Sequence, residues 1–216
     1  MLKRKSNPRN AKDARNSFVT RRAETKLNSL ADMFKVASGG HWKRTDSSTL
    51  QRILHWKDFH YLDTMRLIYN WENRFMSVNY NLQIGATFQA KENQQNQENT
   101  QDYRLQLQCS QKGLTGSRKY SWQKIHWDGD EEKKESCLSR LSHPYILERL
   151  DALDIMEMEL VHQSEESTWY LSCESLIGSA SWILIPPVFS LVKPTLKECT
   201  KFLELFDLIG DALINE

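Results

Sequence analysis

Residues 74–89, RFMSVNYNLQIGATFQ, alternate apolar and polar side chains over almost their whole length. Met76, Val78, Tyr80, Leu82, Ile84, Ala86 and Phe88 fall on one side, and Ser77, Asn79, Asn81, Gln83 and Thr87 on the other. A period of two belongs to an extended strand, because successive Cβ atoms of a strand point to opposite faces. A strand buried on both faces reads as a continuous apolar run instead. The stretch therefore predicts a long strand over 74–89 in an antiparallel sheet, with one face on a core and the other wet or lightly covered.

The remaining elements are weaker. Ala14, Phe18, Leu27, Leu30, Ala31 and Phe34 recur at helical spacing and predict a helix over 10–34, broken by Gly39 and Gly40. Ser48 with Gln51 resembles a capping box, and Leu50, Ile53, Leu54, Tyr61, Leu62, Met65, Ile68 and Tyr69 predict a second helix over 50–71. An amide-rich loop spans 90–101. Strands are predicted over 103–109 and 119–127, the latter bulged or at an edge, with KGLTGSRK as the turn between them. A charged loop, 128–136, precedes helical spacing over 137–153, which Pro144 divides into two pieces with Ser142 as a cap. A strand over 155–161, a turn at 164–167 and strands over 169–173 and 177–185 follow, ended by Pro186 and Pro187. Thr195 and Glu198 form a capping box that opens a last helix carrying Cys199, Phe202, Leu203, Phe206, Ile209 and Leu213 on one stripe. The order is ααβββαβββα, an α+β fold with a mostly antiparallel sheet of about six strands and helices packed on it. That order resembles secretion-chaperone-like folds, αβββαββα, with an extra strand and an N-terminal helix, and an analogy of fold assigns no function.

Charge divides the chain in two. Residues 1–35 hold ten Lys/Arg against three Asp/Glu, while 36–216 hold 19 against 25, so the net +1 is a cancellation. This predicts a basic N-terminal arm and helix over 1–36 and a single domain over 37–216. A basic arm ahead of an acidic body suits nucleic acid, anionic lipid or the body's own surface. Leu176–Val192 lacks charge, but Gly178 and the Pro186–Pro187 pair mark it as a buried strand rather than a membrane span. Cys109, Cys137, Cys173 and Cys199 form no CxxC pair, which argues against a zinc or redox motif. With no secretory signal, the expected location is the cytoplasm.

No spacing nominates catalytic chemistry. His55 and His60 are five apart and outside any HExxH frame; KGLTGSRK lacks the spacing of a phosphate loop; Asp128, Asp130 and Glu131 lack that of a calcium loop; no GxSxG occurs. Catalytic, cofactor and metal residues are accordingly left unassigned, and no cofactor is expected. The leading expectation is a non-enzymatic cytosolic interaction or accessory protein of chaperone or adaptor type. It would bind another protein through Asn79, Asn81, Gln83, Gln106 and Gln108, which both donate and accept hydrogen bonds, with Trp56 and Trp71 as aromatic anchors. The alternative is nucleic-acid binding through phosphate contacts from Lys3, Arg4, Lys5, Arg9, Lys12, Arg15, Arg21 and Arg22. The third is an enzyme of unassigned class, working between the sheet and the last helix with Glu157, Glu159 or His162; Glu157 and Glu159 share one strand face and are expected opposite Glu174.

Overall fold

The computed structural model describes residues 18–39, 42–56, 59–89, 101–111, 118–183, 185 and 188–214, with the side chains of 18, 42–48, 56, 89, 111 and 156 outside the description. Its elements are α1 (Phe18–Ala37), β1 (Trp42–Ser48), β2 (Gln51–Trp56), β3 (Leu62–Arg74), β4 (Ser77–Gln89), β5 (Tyr103–Gln111), β6 (Arg118–Trp127), α2 (Glu131–Leu141), α3 (Pro144–Ala152), β7 (Ile155–Gln163), β8 (Thr168–Ile183), β9 (Val188–Leu191) and α4 (Leu196–Ile214). The fold is α+β. All nine strands join one antiparallel sheet in the order β1-β2-β3-β4-β8-β7-β5-β6, with β9 paired to β8.

The alternating stretch lies in the middle of that sheet as β4. Tyr80, Leu82, Ile84, Ala86 and Phe88 are buried, and the strand pairs with β3 on one side and β8 on the other. It is three residues shorter than expected. Phe75 and Met76 are the turn of the β3–β4 hairpin, closed by the Arg74–Ser77 pair, so Met76 is half exposed rather than core.

Among the described residues no helix lies over 50–71, the second helix expected there; residues 51–56 form β2 and 62–71 belong to β3. Two features hid the strands. Arg52 and Leu54 both point into the core, but an arginine at an inward position breaks the apolar alternation. In β3 the register shifts between Leu62 and Thr64, so the buried set is Leu62, Met65, Leu67 and Tyr69, and the first step of three imitates a helix. Ser48 and Gln51 pair across the β1–β2 turn and do not cap a helix. The order is therefore α, six strands, αα, three strands, α, and the likeness to αβββαββα is lost.

The strands expected over 169–173 and 177–185 are one strand, β8, interrupted by a bulge. Tyr80 pairs with Ala180 and Leu82 with Ser175, so residues 176–179 face the single residue Asn81 and three of them are extra on the β8 side. Serines hold the bulge: Ser179 Oγ accepts from Leu82 N at 2.9 Å and donates to Ser175 O at 2.7 Å, while Ser175 Oγ donates to Leu153 O at 3.2 Å. Gly178 sits at φ 89°, and a Cβ there would lie 2.6 Å from Leu82 Cδ2. Only glycine fits that backbone without strain.

The four helices pack on one face of the sheet, with α4 touching α1, α2 and α3. Thr195 and Glu198 do form the expected capping box: Thr195 N donates to Glu198 Oε2 at 2.6 Å, and Glu198 N to Thr195 Oγ1 at 3.2 Å. Cys199, Phe202, Leu203, Phe206, Ile209 and Leu213 are buried. Phe202 faces Phe34 of α1 at 6.0 Å between ring centroids, so α1 shares the core of the domain. Burying each such phenylalanine contributes about 1.5–3 kcal/mol. Most of the charged loop expected over 128–136 is the start of α2, where Asp130 Oδ1 accepts from Glu132 N at 2.9 Å. The cap of α3 is His143, one residue after the expected Ser142, which ends α2 instead.

Candidate functional site

Strand alternation places Ser77, Asn79, Asn81, Gln83, Arg104, Gln106, Gln108, Ser121 and Gln123 on the face of the sheet opposite the helices. Among the described residues no element covers this face. The register aligns Ser121, Gln108, Glu157, Glu174, Gln83 and Ile68 in one row across β6, β5, β7, β8, β4 and β3. At about 4.8 Å between strands, the row spans roughly 24 Å.

The amides are linked to one another and to their neighbours. Gln123 Nε2 donates to Gln108 Oε1 at 2.8 Å, and Gln106 Nε2 to Glu157 Oε1 at 2.9 Å. Asn70 Nδ2 donates to Gln83 Oε1 at 2.8 Å, and Gln83 Nε2 to Ser172 Oγ at 2.7 Å. The Arg104 guanidinium pairs with Glu159, and Thr64 and Thr87 share a hydrogen bond of 2.5 Å. Cross-strand bonds of this kind hold side chains in defined rotamers, so the face is preorganised. Gly85 and Ser172 are cross-strand partners near the middle of the face and give it a low floor.

Asn79, Asn81, Gln83, Gln106 and Gln108 are thus brought onto one surface. Trp71 is not with them. It pairs with Tyr80 on the helix side and packs half-buried against the core, because it belongs to a strand and not to the expected docking helix. The side chain of Trp56 lies outside the described residues. Asn70 and Ser172 were not singled out from the sequence: Asn70 fell inside the expected helix, and a lone serine between Leu171 and Cys173 carries no signal beyond its outward parity.

Glu157 is the cross-strand partner of Glu174, as its strand position implied. Glu157 and Glu159 face away from the helices, whereas His162 points to the helix side. These residues therefore cannot line one cleft under α4. His162 lies in an aromatic group at the far end of the sheet, 5.4 Å from Tyr103 and 5.1 Å from Trp169 between ring centroids, and Tyr103 stacks on Trp127 at 3.8 Å. Its Nδ1 is 2.8 Å from Gln101 O; a carbonyl only accepts, so this nitrogen carries the proton. Burial holds the His162 pKa below its ordinary value, against the opposing pull of the Gln101 carbonyl and Asp102.

Of the basic set, Lys3, Arg4, Lys5, Arg9, Lys12 and Arg15 lie outside the described residues. Arg21 and Arg22 are exposed on α1, and the Arg22 guanidinium stands 5.6 Å from the Trp182 ring centroid. Among the described residues no group of three His, Cys, Asp or Glu side chains is placed to hold a metal ion, and no helix is long and apolar enough to cross a membrane. No curated protein matches the chain. Residues 33–213, from late in α1 to near the end of α4, match the family described as "Protein of unknown function (DUF3156)", and the chain belongs to that family.

Proposed function

We propose that this is a non-enzymatic accessory protein of adaptor or chaperone type that binds another protein across the open sheet face. The observation that carries the reading is the interlinked amide surface of Asn70, Gln83, Gln106, Gln108 and Gln123, left uncovered among the described residues while four helices crowd the opposite face. Amides supply donors and acceptors without the desolvation cost of charges. A rigid surface of this kind suits a partner with exposed polar side chains or backbone, and loses little rotamer entropy on binding. The interface is centred on Asn79, Asn81, Gln83, Gln106 and Gln108, without Trp71.

Photo-crosslinking in the native host tests it. A benzophenone side chain at Asn81 or Gln108 should give a discrete adduct with one partner. The same group at Lys197 or Glu204, exposed on α4, should not. Equal adduct yields on the two faces would sink the proposal. Nucleic-acid binding is the weaker reading, because Glu157, Glu159 and Glu174 occupy the open face and oppose phosphate.

A further inference from the structure

Gly85 stands in the middle of β4, where the fold does not ask for a glycine. The register around it is regular: Ile84, Gly85 and Ala86 face Leu67, Arg66 and Met65 of β3 on one side and Cys173, Ser172 and Leu171 of β8 on the other. Its φ is not positive. A Cβ there would meet nothing nearer than Leu171 O at 3.5 Å and Arg66 Cβ at 3.7 Å, which is ordinary van der Waals contact. The other described glycines differ. Gly39 and Gly178 take φ of 76° and 89°, and a Cβ at Gly129 or Gly210 would lie 2.9 Å from Tyr103 Oη or 2.6 Å from Tyr61 Cβ.

A glycine inside a strand weakens it, because the unfolded chain gains freedom and no side chain is packed. Where neither a bulge nor crowding accounts for it, the remaining reason is the close approach of another group to the backbone. Strand parity puts that approach on the open face, between the outward residues Arg66 and Ser172.

The missing side chain leaves a shallow seat. Arg66 of β3 and Glu159 of β7 stand three strand spacings apart, roughly 14 Å, with only Gly85 and Ser172 between them. Gln83 and Thr87 close the ends, roughly 13 Å apart along β4. Both ends are fixed, Gln83 by its bond to Ser172 Oγ and Thr87 by its bond to Thr64. Tyr170, the outward neighbour of Ser172 along β8, lies near enough for the Arg66 charge to act on its hydroxyl. Arg66 and Glu174 put one charge of each sign on the rim, and Glu159 is paired with Arg104, so a neutral occupant is favoured over an anion or a cation. Guanidinium groups stack on aromatic faces, and an aromatic ring laid over a glycine covers the backbone that the glycine leaves bare.

We infer that Gly85 is the docking point of the open face: a seat for an aromatic side chain of the protein partner, lying on Gly85 and Ser172 beside Arg66 and Tyr170. This rests on the reading of that face as a protein-binding surface and names the kind of side chain that anchors it.

Titration of the full chain with N-acetyltryptophanamide, followed by amide NMR, provides the test. The indole ring current should shift the resonances of Arg66, Gly85 and Ser172 above those of the helices, and N-acetylleucinamide at the same concentration should not. Gly85→Ala fills the seat with a methyl group. It should abolish those shifts and cut the yield of the adduct from benzophenone at Asn81 by about tenfold, the scale of one anchoring contact. Its melting midpoint should be at or above that of wild type, since the methyl meets only ordinary contacts and narrows the unfolded ensemble. Shifts that are absent, centred elsewhere or retained in Gly85→Ala would overturn the inference. A midpoint clearly below wild type would do the same, because the fold itself would then need the glycine. An Asn81 adduct of undiminished yield in Gly85→Ala would also overturn it, while leaving the open face as a binding surface. Shifts confined to the seat, in a chain whose Asn81 crosslinker captures nothing, would uphold the aromatic seat and end the protein-partner reading.

Discussion

Along β4 the same backbone supports two surfaces with opposite chemistry. Its inward side chains, Tyr80, Leu82, Ile84, Ala86 and Phe88, are all buried under the helices, whereas Asn79 and Gln83 are half-buried and Asn81 is exposed. The inward row owes its position to the removal of apolar area from water. In the outward row Gln83 is held by hydrogen bonds to Asn70 and Ser172, which water can replace. Stability is therefore concentrated on the helix side, and the outer side can carry a binding function at small cost to the fold.

The largest test of that contrast lies in α4. Phe206 is fully buried between the helix layer and the sheet, and Phe206→Ala should destabilise by about 3–5 kcal/mol. Such a loss is a large share of the roughly 5–15 kcal/mol of an ordinary domain. Denaturant melts should show a sharply lower midpoint. A wild-type midpoint would mean that α4 is not the cover of the sheet.

Arg52 is the polar exception on the inward side. Its side chain is 2% exposed; Nε donates to Asn28 Oδ1 at 2.7 Å, and Nη1 donates to Gln51 O at 2.7 Å and Thr49 O at 3.1 Å. Arg52→Met keeps the volume but strands these acceptors, and should cost about 2–3 kcal/mol. Glu24 is 38% exposed and 3.5 Å away, so Glu24→Gln should cost only about 0–1 kcal/mol. Reversed magnitudes in the two melts would show that the Glu24 ion pair, and not the Asn28 hydrogen bond, fixes β2 to α1.

His162 offers a pH-dependent version of the same comparison. Burial lowers its pKa in the folded state, so the unfolded chain takes up the proton first as pH falls. Its contribution is complete above the unfolded value of about 6.5 and is lost as pH drops through the folded value below it. The melting temperature should therefore fall less between about pH 7.5 and pH 5.5 in His162→Gln than in wild type. Identical slopes would show that the group at Tyr103 and Trp169 opens to water on protonation without cost.

How much of this was legible follows from where the strand period survives. β4, β5 and, from Glu157 onward, β7 keep it, so the outward parity of Gln83, Gln106, Gln108, Glu157 and Glu159 is legible in the sequence. The capping box of α4 was equally legible, because Thr195 and Glu198 signal through local bonding alone. The period failed in β2, where Arg52 fills an inward position, and in β3, where the bulge between Leu62 and Thr64 shifts the phase. β8 reads as two strands because residues 176–179 face the single residue Asn81, and the three extra residues shift the phase of the alternation between Ser175 and Ala180. The exposed tip was illegible for a related reason. Met76 continues the alternation of β4 by parity, and only the pairing of Arg74 with Ser77 shows that the chain has already turned.

The smallest effect on stability should come from the surface assigned the binding role. Gln83 bonds to Asn70 and Ser172, and Gln108 accepts from Gln123, but each partner can reach water when the amide is removed. Gln83→Ala with Gln108→Ala should therefore stay within about 0.5 kcal/mol per site in a denaturant melt, as surface substitutions do. The same pair should remove the adduct formed by a crosslinker at Asn81, because it strips hydrogen-bonding groups from the row that spans the face. A loss beyond about 1.5 kcal/mol would place the amide network among the determinants of the fold and end the division of labour between the two faces. An unchanged melt with an unchanged adduct would move the binding surface elsewhere on the molecule. Only an unchanged melt together with a lost adduct keeps stability on the helix side and recognition on the open one.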